Sequence, residues 1–386
     1  MSKKRIGIAV MALGMFLWAA AAYASPEAPR LLSPPMALPV PSGFLKVLLL
    51  LTFFVHLVLV NVLLGSVILS VIDRRASASD RKGGVAFMPK VLALAVNFGV
   101  APFLFLQVLY GHFLYPSIVL MAVWWMFVAL FAMLAYYGLY VSDGAVRPAR
   151  RTPILFLSAL LLLLSNASTL MLRPDFWFRW FSEPHGHLLN TSDPTLFPRY
   201  LHILLASLAV GGLTMAWRAR WSKRDPEVDR EEAERRFRRG LDWFFYVSLA
   251  QVPVGLLFLF TLPPDVRGLF LGGDALSTAA LILAVSGLCI ALILVRQGGL
   301  KLASTAALGV ILVMVCVRGM VRDAMLQPYS GAASPAPTAL AMPHGQTAAL
   351  SLFLVATVLV VAVLVWLGRV LFHALNRSES SEIREG

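Results

Sequence analysis

Long apolar runs separated by short polar stretches dominate the chain. Nine of them follow residue 42, at about 43–72, 91–115, 117–141, 153–172, 198–217, 241–262, 276–295, 302–322 and 347–368. A helix needs about 20 mostly apolar residues to cross the hydrocarbon layer, and each run is long enough. Lipid offers the backbone no hydrogen-bond partners, so continuous helices are the structure that satisfies such runs. The pattern therefore predicts an all-α fold, a polytopic membrane helical bundle of about nine transmembrane helices. Residues 1–24 differ: a basic start (Lys3, Lys4, Arg5), an apolar stretch and a small-residue end at Ala22-Tyr23-Ala24. That is the pattern of a cleaved secretory signal peptide. Residues 25–386 then read as a single transmembrane domain, opened by a proline-rich extended lead-in from Pro26 to Pro41.

Composition narrows the class. Of 386 residues, 59% are hydrophobic and 14% charged, against roughly 45–50% and about 25% in soluble domains. A soluble enzyme, a disordered tail and a free nucleic-acid binder are excluded. The formal net charge of +13 gains its meaning from where the cations fall. With the mature N-terminus outside, 22 Lys and Arg residues fall in cytoplasmic segments and 8 outside, which follows the positive-inside rule. The expected topology is N-terminus outside and C-terminus cytoplasmic, in a bacterial inner membrane. The longest cytoplasmic loop, 218–240, mixes both charges and predicts a short solvated helix that fixes orientation. Cys289 and Cys316 lie in apolar runs and match neither a disulfide framework nor a zinc site.

Ionisable side chains inside the spans are the candidates for chemistry, because lipid penalises them unless they are paired or liganded. His56 stands ten residues past Lys46 in the first span, about 15 Å deeper at helical rise. His112 is at the outer end of the second span, with Gln107 more than a turn deeper. His202 lies one turn into the fifth, and Arg318, Arg322 and Asp323 close the eighth. These groups share the outer half of the bilayer. Helix-borne histidines can ligate haem iron, and arginines at the membrane edge suit its propionates. Met320 and Met314 are further possible ligands, although Met is also a common gap-filler. Gly65, Gly99, Gly111, Gly211 and Gly212 admit either a flat macrocycle or a neighbouring helix. His185 and His187 read as surface residues, His344 and His373 as structural. The chain has no HExxH, Walker loop, Rossmann glycine fingerprint or CxxCH, and no Glu within a span.

The stretches FFVHLVLVNVLLG, NFGVAPFLFLQVLYGHF and PRYLHILLASLAVGG resemble the first, second and fifth helices of subunit I of the cytochrome bd-type quinol oxidases. The expected helix count and direction match as well, and the chain is similar to a divergent branch of that superfamily. The resemblance implies haem-ligating roles for His56 and His202, and places Gln107 near the family's proton-path carboxylate. The end of span eight, VRDAMLQPY, is similar to the family's arginine, glutamine, proline and tryptophan run there. Several features depart from the family. Gln107 replaces an acid, and only about a dozen residues join spans six and seven, where the family has a long quinol-binding loop. Span seven lacks the expected Met, and span eight lacks a Glu. The Arg318-Gly319-Met320 triplet stands on a different helix from the family's, while His112 is an additional candidate ligand.

Delivering protons for oxygen chemistry calls for carboxylates that these spans lack. The expected function is therefore a membrane haem b subunit of a quinone-linked electron-transfer complex. It would pass electrons between the quinone pool and a periplasmic partner such as a multihaem cytochrome c. In that reading His56, His112 and His202 are the haem-iron ligands, bis-His ligation being one arrangement. Arg318 and Arg322 bind propionates or a quinone oxygen, and Gln107 and Met320 are further candidate cofactor-binding residues. Two alternatives stand: a divergent bd-like terminal oxidase subunit reducing oxygen with quinol, and a non-redox transporter or anchor. Lipid, quinone and redox subunits are the expected partners, and nucleic acid is not.

Overall fold

The computed structural model describes residues 38, 40–72, 87–141, 151–181, 185–223 and 229–329, together with nine helical positions between 351 and 369. The expected signal peptide lies outside the described residues, as does most of the ninth expected span. Of the described residues, 45–329 belong to one compact unit, and 38, 40–44 and the positions between 351 and 369 to another.

Among the described residues, eight helices are long and apolar enough to cross a membrane: α1 (Ser42–Ile72), α2 (Met88–Leu120), α3 (Ala122–Val141), α4 (Thr152–Leu172), α5 (Leu196–Ser222), α6 (Arg230–Thr261), α8 (Ala275–Arg296) and α9 (Leu300–Leu326). The short α7 (Pro264–Gly268) lies between α6 and α8. The protein is a polytopic helical bundle. Among the described residues it has no strands.

Local chemistry explains the helix ends. Pro89 and Pro153 sit in the first turns of α2 and α4, where a missing N–H removes no intrahelical bond. Asp229 and Asp274 cap α6 and α8, accepting from Glu231 N at 3.0 Å and Ser277 N at 2.8 Å. The α8–α9 turn passes through Gly298 at φ +75°, a conformation that suits a residue without Cβ. Two boundaries differ from expectation. The second span runs on to Leu120, through Pro102 and Pro116, with its non-helical residue at Tyr110. The charged loop at 218–240 is largely helix: α5 extends to Ser222, and residues 230–240 are the first turns of α6. Arg235–Glu231, Arg236–Glu232 and Arg238–Glu234 pairs stabilise those turns.

Packing sorts the helix ends into two groups. At one end Leu49, Phe113, Leu172, Leu262, Val321 and Met325 share a buried apolar cluster. It joins the start of α1 to the ends of α2, α4, α6 and α9. Opposite it, Leu64, Ile68, Met88, Leu92, Leu139 and Leu157 join the end of α1 and α3 to the starts of α2 and α4. Successive helices therefore alternate in direction, and Lys46 marks the first end.

The tightest contacts are between backbones. A Cβ at Gly65 would lie 1.8 Å from the Ser207 carbonyl oxygen, and one at Gly211 would lie 2.5 Å from Gly65 C. On the other side of α5, a Cβ at Gly212 would meet Gly240 O at 2.7 Å. Ser207 Oγ donates to Asn61 Oδ1 at 2.9 Å beside the Gly65 crossing. Gly65, Gly211 and Gly212 thus admit neighbouring helices, in the manner of small residues in membrane helix packing.

Candidate cofactor site

His56 is fourteen residues into α1, and its Nδ1 lies 2.8 Å from the carbonyl oxygen of Ala95 on α2. A carbonyl only accepts, so Nδ1 carries the proton and Nε2 keeps a free lone pair. Metal-ligating imidazoles are commonly fixed in this way, with the second nitrogen tied to a backbone carbonyl. The ring has its space because residue 99 is glycine: a Cβ there would stand 2.8 Å from His56 Cε1 and 2.9 Å from Nδ1. Gly99 therefore makes room for an imidazole.

His202, on α5, is held from α6. Its Nε2 is 3.2 Å from Gln251 Nε2, so the amide donates and the imidazole accepts. Nδ1 is then the protonated nitrogen, and it is buried without a partner among the described residues. A buried donor left unmatched costs about 1–3 kcal/mol. Here too a glycine clears the ring, since a Cβ at Gly255 would lie 3.1 Å from His202 Cε1. Gln251 and Gly255 are one helical turn apart and hold the ring between them. Sequence reasoning passed over Gln251, although it is a polar residue within span six.

The other predicted residues are placed differently. His112 lies just beyond the Tyr110 kink, its ring 4.1 Å from that of Phe113, and it has no hydrogen bond among the described residues. Gln107 is half-buried, also without a hydrogen bond among them. Met320 packs against the apolar cluster at the Lys46 end, and Gly111 faces the Tyr115 ring of its own helix. Among the described residues no group of three or more His, Cys, Asp or Glu side chains comes together. His56 and His202 are thus two separately braced imidazoles, each with its own second-helix partner.

A polar layer closes the Lys46 end. Asp323 Oδ2 accepts from Lys46 Nζ at 2.7 Å, and its Oδ1 accepts from Tyr110 OH at 2.5 Å and Arg322 Nε at 3.3 Å. One carboxylate thereby ties α1, α2 and α9 together, and the Arg322 guanidinium lies 4.3 Å from the centre of the Tyr110 ring. Lys46 and Tyr110 were absent from the sequence-based site, because their convergence on Asp323 spans 277 and 213 residues of chain. Beside this group Arg173 bonds Asp175 through Nε at 3.1 Å and Nη2 at 3.0 Å, and Tyr329 OH donates to the same carboxylate at 2.9 Å. Burial pulls the Arg173 pKa down, but the Asp175 hydrogen bonds and the charges of Asp175 and Asp193 outweigh it and hold it above its ordinary value. Arg199, buried, donates to Ser168 at 3.2 Å and Thr195 at 3.4 Å.

Arg318 differs from these cations. It lies 5.0 Å from the centre of the Phe53 ring, and has neither a hydrogen bond nor a carboxylate partner among the described residues.

No family model, no curated protein and no solved structure matches this chain. The site must be interpreted from its own geometry.

Proposed function

We propose that the protein is a membrane haem b subunit, a divergent relative of the bd-type quinol oxidase subunit I, that carries electrons between the quinone pool and a periplasmic partner such as a multihaem cytochrome c. The observation that supports this most is His56: an imidazole within a membrane helix whose Nδ1 is tied to Ala95 O, leaving Nε2 free. His202 offers the same feature once the Gln251 amide is turned so that its Oε1 accepts from Nε2–H, which leaves the lone pair on the unpartnered Nδ1. With one nitrogen tied and one free, each imidazole fits iron ligation.

Bound haem supplies one-electron carriage between ferric and ferrous iron. The chain's part is positional. Ala95 O fixes the tautomer of His56, and Gly99 keeps the face of its ring clear. Gln251 and Gly255 orient His202. His112, near the Lys46 end, is a further ligand candidate. The spans offer no mid-depth carboxylate to deliver protons for oxygen chemistry, which favours electron transfer over oxygen reduction.

The test is a reduced-minus-oxidised spectrum of the purified full chain, recorded for wild type, His56→Ala and His202→Ala. Haem b bands in the wild type, lost or halved in each variant, are expected. A wild-type spectrum without such bands overturns the proposal. Oxygen uptake driven by quinol and abolished by His56→Ala would instead establish the terminal-oxidase reading.

A further inference from the structure

Arg318 lies five residues deeper in α9 than Asp323, about 7.5 Å at helical rise. The nearby carboxylates are committed elsewhere. Asp323 is shared by Lys46, Arg322 and Tyr110, and Asp175 is held by Arg173 and Tyr329. Asp193 faces Arg173 at 3.9 Å and also interacts with Arg199. Arg199 and Arg322 are both near enough to Arg318 to repel it. Three guanidiniums from α5 and α9 thus act on one another, and Arg318 has no counter-charge among the described residues.

Snorkelling does not account for its position. A long cation near a helix end ordinarily reaches for the interface. Arg318 turns inward instead: its guanidinium stands over Phe53, seven residues deeper in α1 than Lys46 and one turn before His56. The side chain is nevertheless exposed, although α1, α5 and its own helix supply its neighbours. A cation facing two others, exposed and far from its helix end, matches an anionic ligand.

We propose that Arg318, flanked by Arg199 and Arg322, is the seat for the anionic oxygens of a membrane-embedded ligand, a carboxylate or a phosphate, entering between α1, α5 and α9. Arg199 joins the site through its charge, and Arg322 contributes while still bonded to Asp323. Phe53 and Phe258, which stack against Arg318 and Arg199, supply apolar walls for the body of the ligand. A carboxylate would come from haem, and in that form the inference rests on the function proposed above. A phosphate would come from an anionic phospholipid, and in that form it stands alone.

The experiment compares wild type with Arg318→Gln, purified as the full chain in mild detergent from membranes containing phosphatidylglycerol. Haem is assayed as its pyridine haemochrome and retained lipid by native mass spectrometry. Loss of a charge-assisted contact predicts retention about tenfold weaker. Haem lost with phosphatidylglycerol unchanged identifies a carboxylate ligand; phosphatidylglycerol lost with haem unchanged identifies a phosphate. Equal retention of both by the variant overturns the proposal. If the wild type carries no haem, the function proposed above fails and the lipid arm alone decides this inference. Should Arg318→Gln not assemble, Arg318→Lys, which keeps the charge but loses the planar fork, allows the same decision.

Discussion

Gly65 and Gly211 show how much can depend on one missing methyl group. The Cβ of an alanine at 65 would overlap the Ser207 carbonyl oxygen at 1.8 Å, and backbone cannot swing aside as a side chain can. Gly65→Ala is expected to part α1 from α5, break the Asn61–Ser207 bond and lower the melting temperature by several degrees. An unchanged melting curve would show that the crossing is not close. Gly43 and Gly309 have open space around a Cβ and serve as controls. The histidines follow the same logic: Gly99 and Gly255 are legible in the sequence only as small residues. Their use, clearing the rings of His56 and His202, depends on which helix lies opposite. The place of both histidines along their helices could be read from the chain, but Ala95 O and Gln251 could not.

Among the elements, the helices were the most legible part. Runs of apolar residues fix their extent to within a few residues, since lipid tolerates little else. The exceptions are physical. In α2 the chain continues through Pro116, and its irregular backbone falls at Tyr110, whose hydroxyl bonds Asp323. The charged start of α6 continues a membrane helix because the i,i+4 ion pairs keep it helical in water. The start of α8 depends on Asp274, which the Ser277 backbone N–H and then its hydroxyl hold below the usual carboxylate range. A depressed pKa means that this stabilisation is present above the unfolded value of about 3.9 and is lost as pH falls through the lower folded value. Asp274→Ala should therefore melt earlier than wild type at pH 7, and the difference should shrink in acid below that range. A gap of equal size at both pH values would rule out the capping carboxylate as its cause.

For the whole molecule, alternating helix directions bring Lys46, Tyr110, Arg173, Arg199, Arg318 and Arg322 to one end, and charge statistics predict that this end faces outward. In a background with Cys289 and Cys316 changed to Ser, a thiol introduced by His185→Cys should react with an impermeant reagent in intact cells. One introduced by Arg238→Cys should react only after the membrane is opened. The reverse pattern would refute the 22-to-8 reading of the cations. The sequence by itself determined the membrane class and the limits of most of the described helices. Hydrophobic transfer and backbone satisfaction act on local runs of residues, and local runs are what a sequence displays. Tertiary structure alone decided that one carboxylate is shared by three helices, that Gln251 braces His202 and that Arg318 has no partner among the described residues. Those outcomes depend on distances between helices far apart in the chain, and the packing that sets them has no local signature.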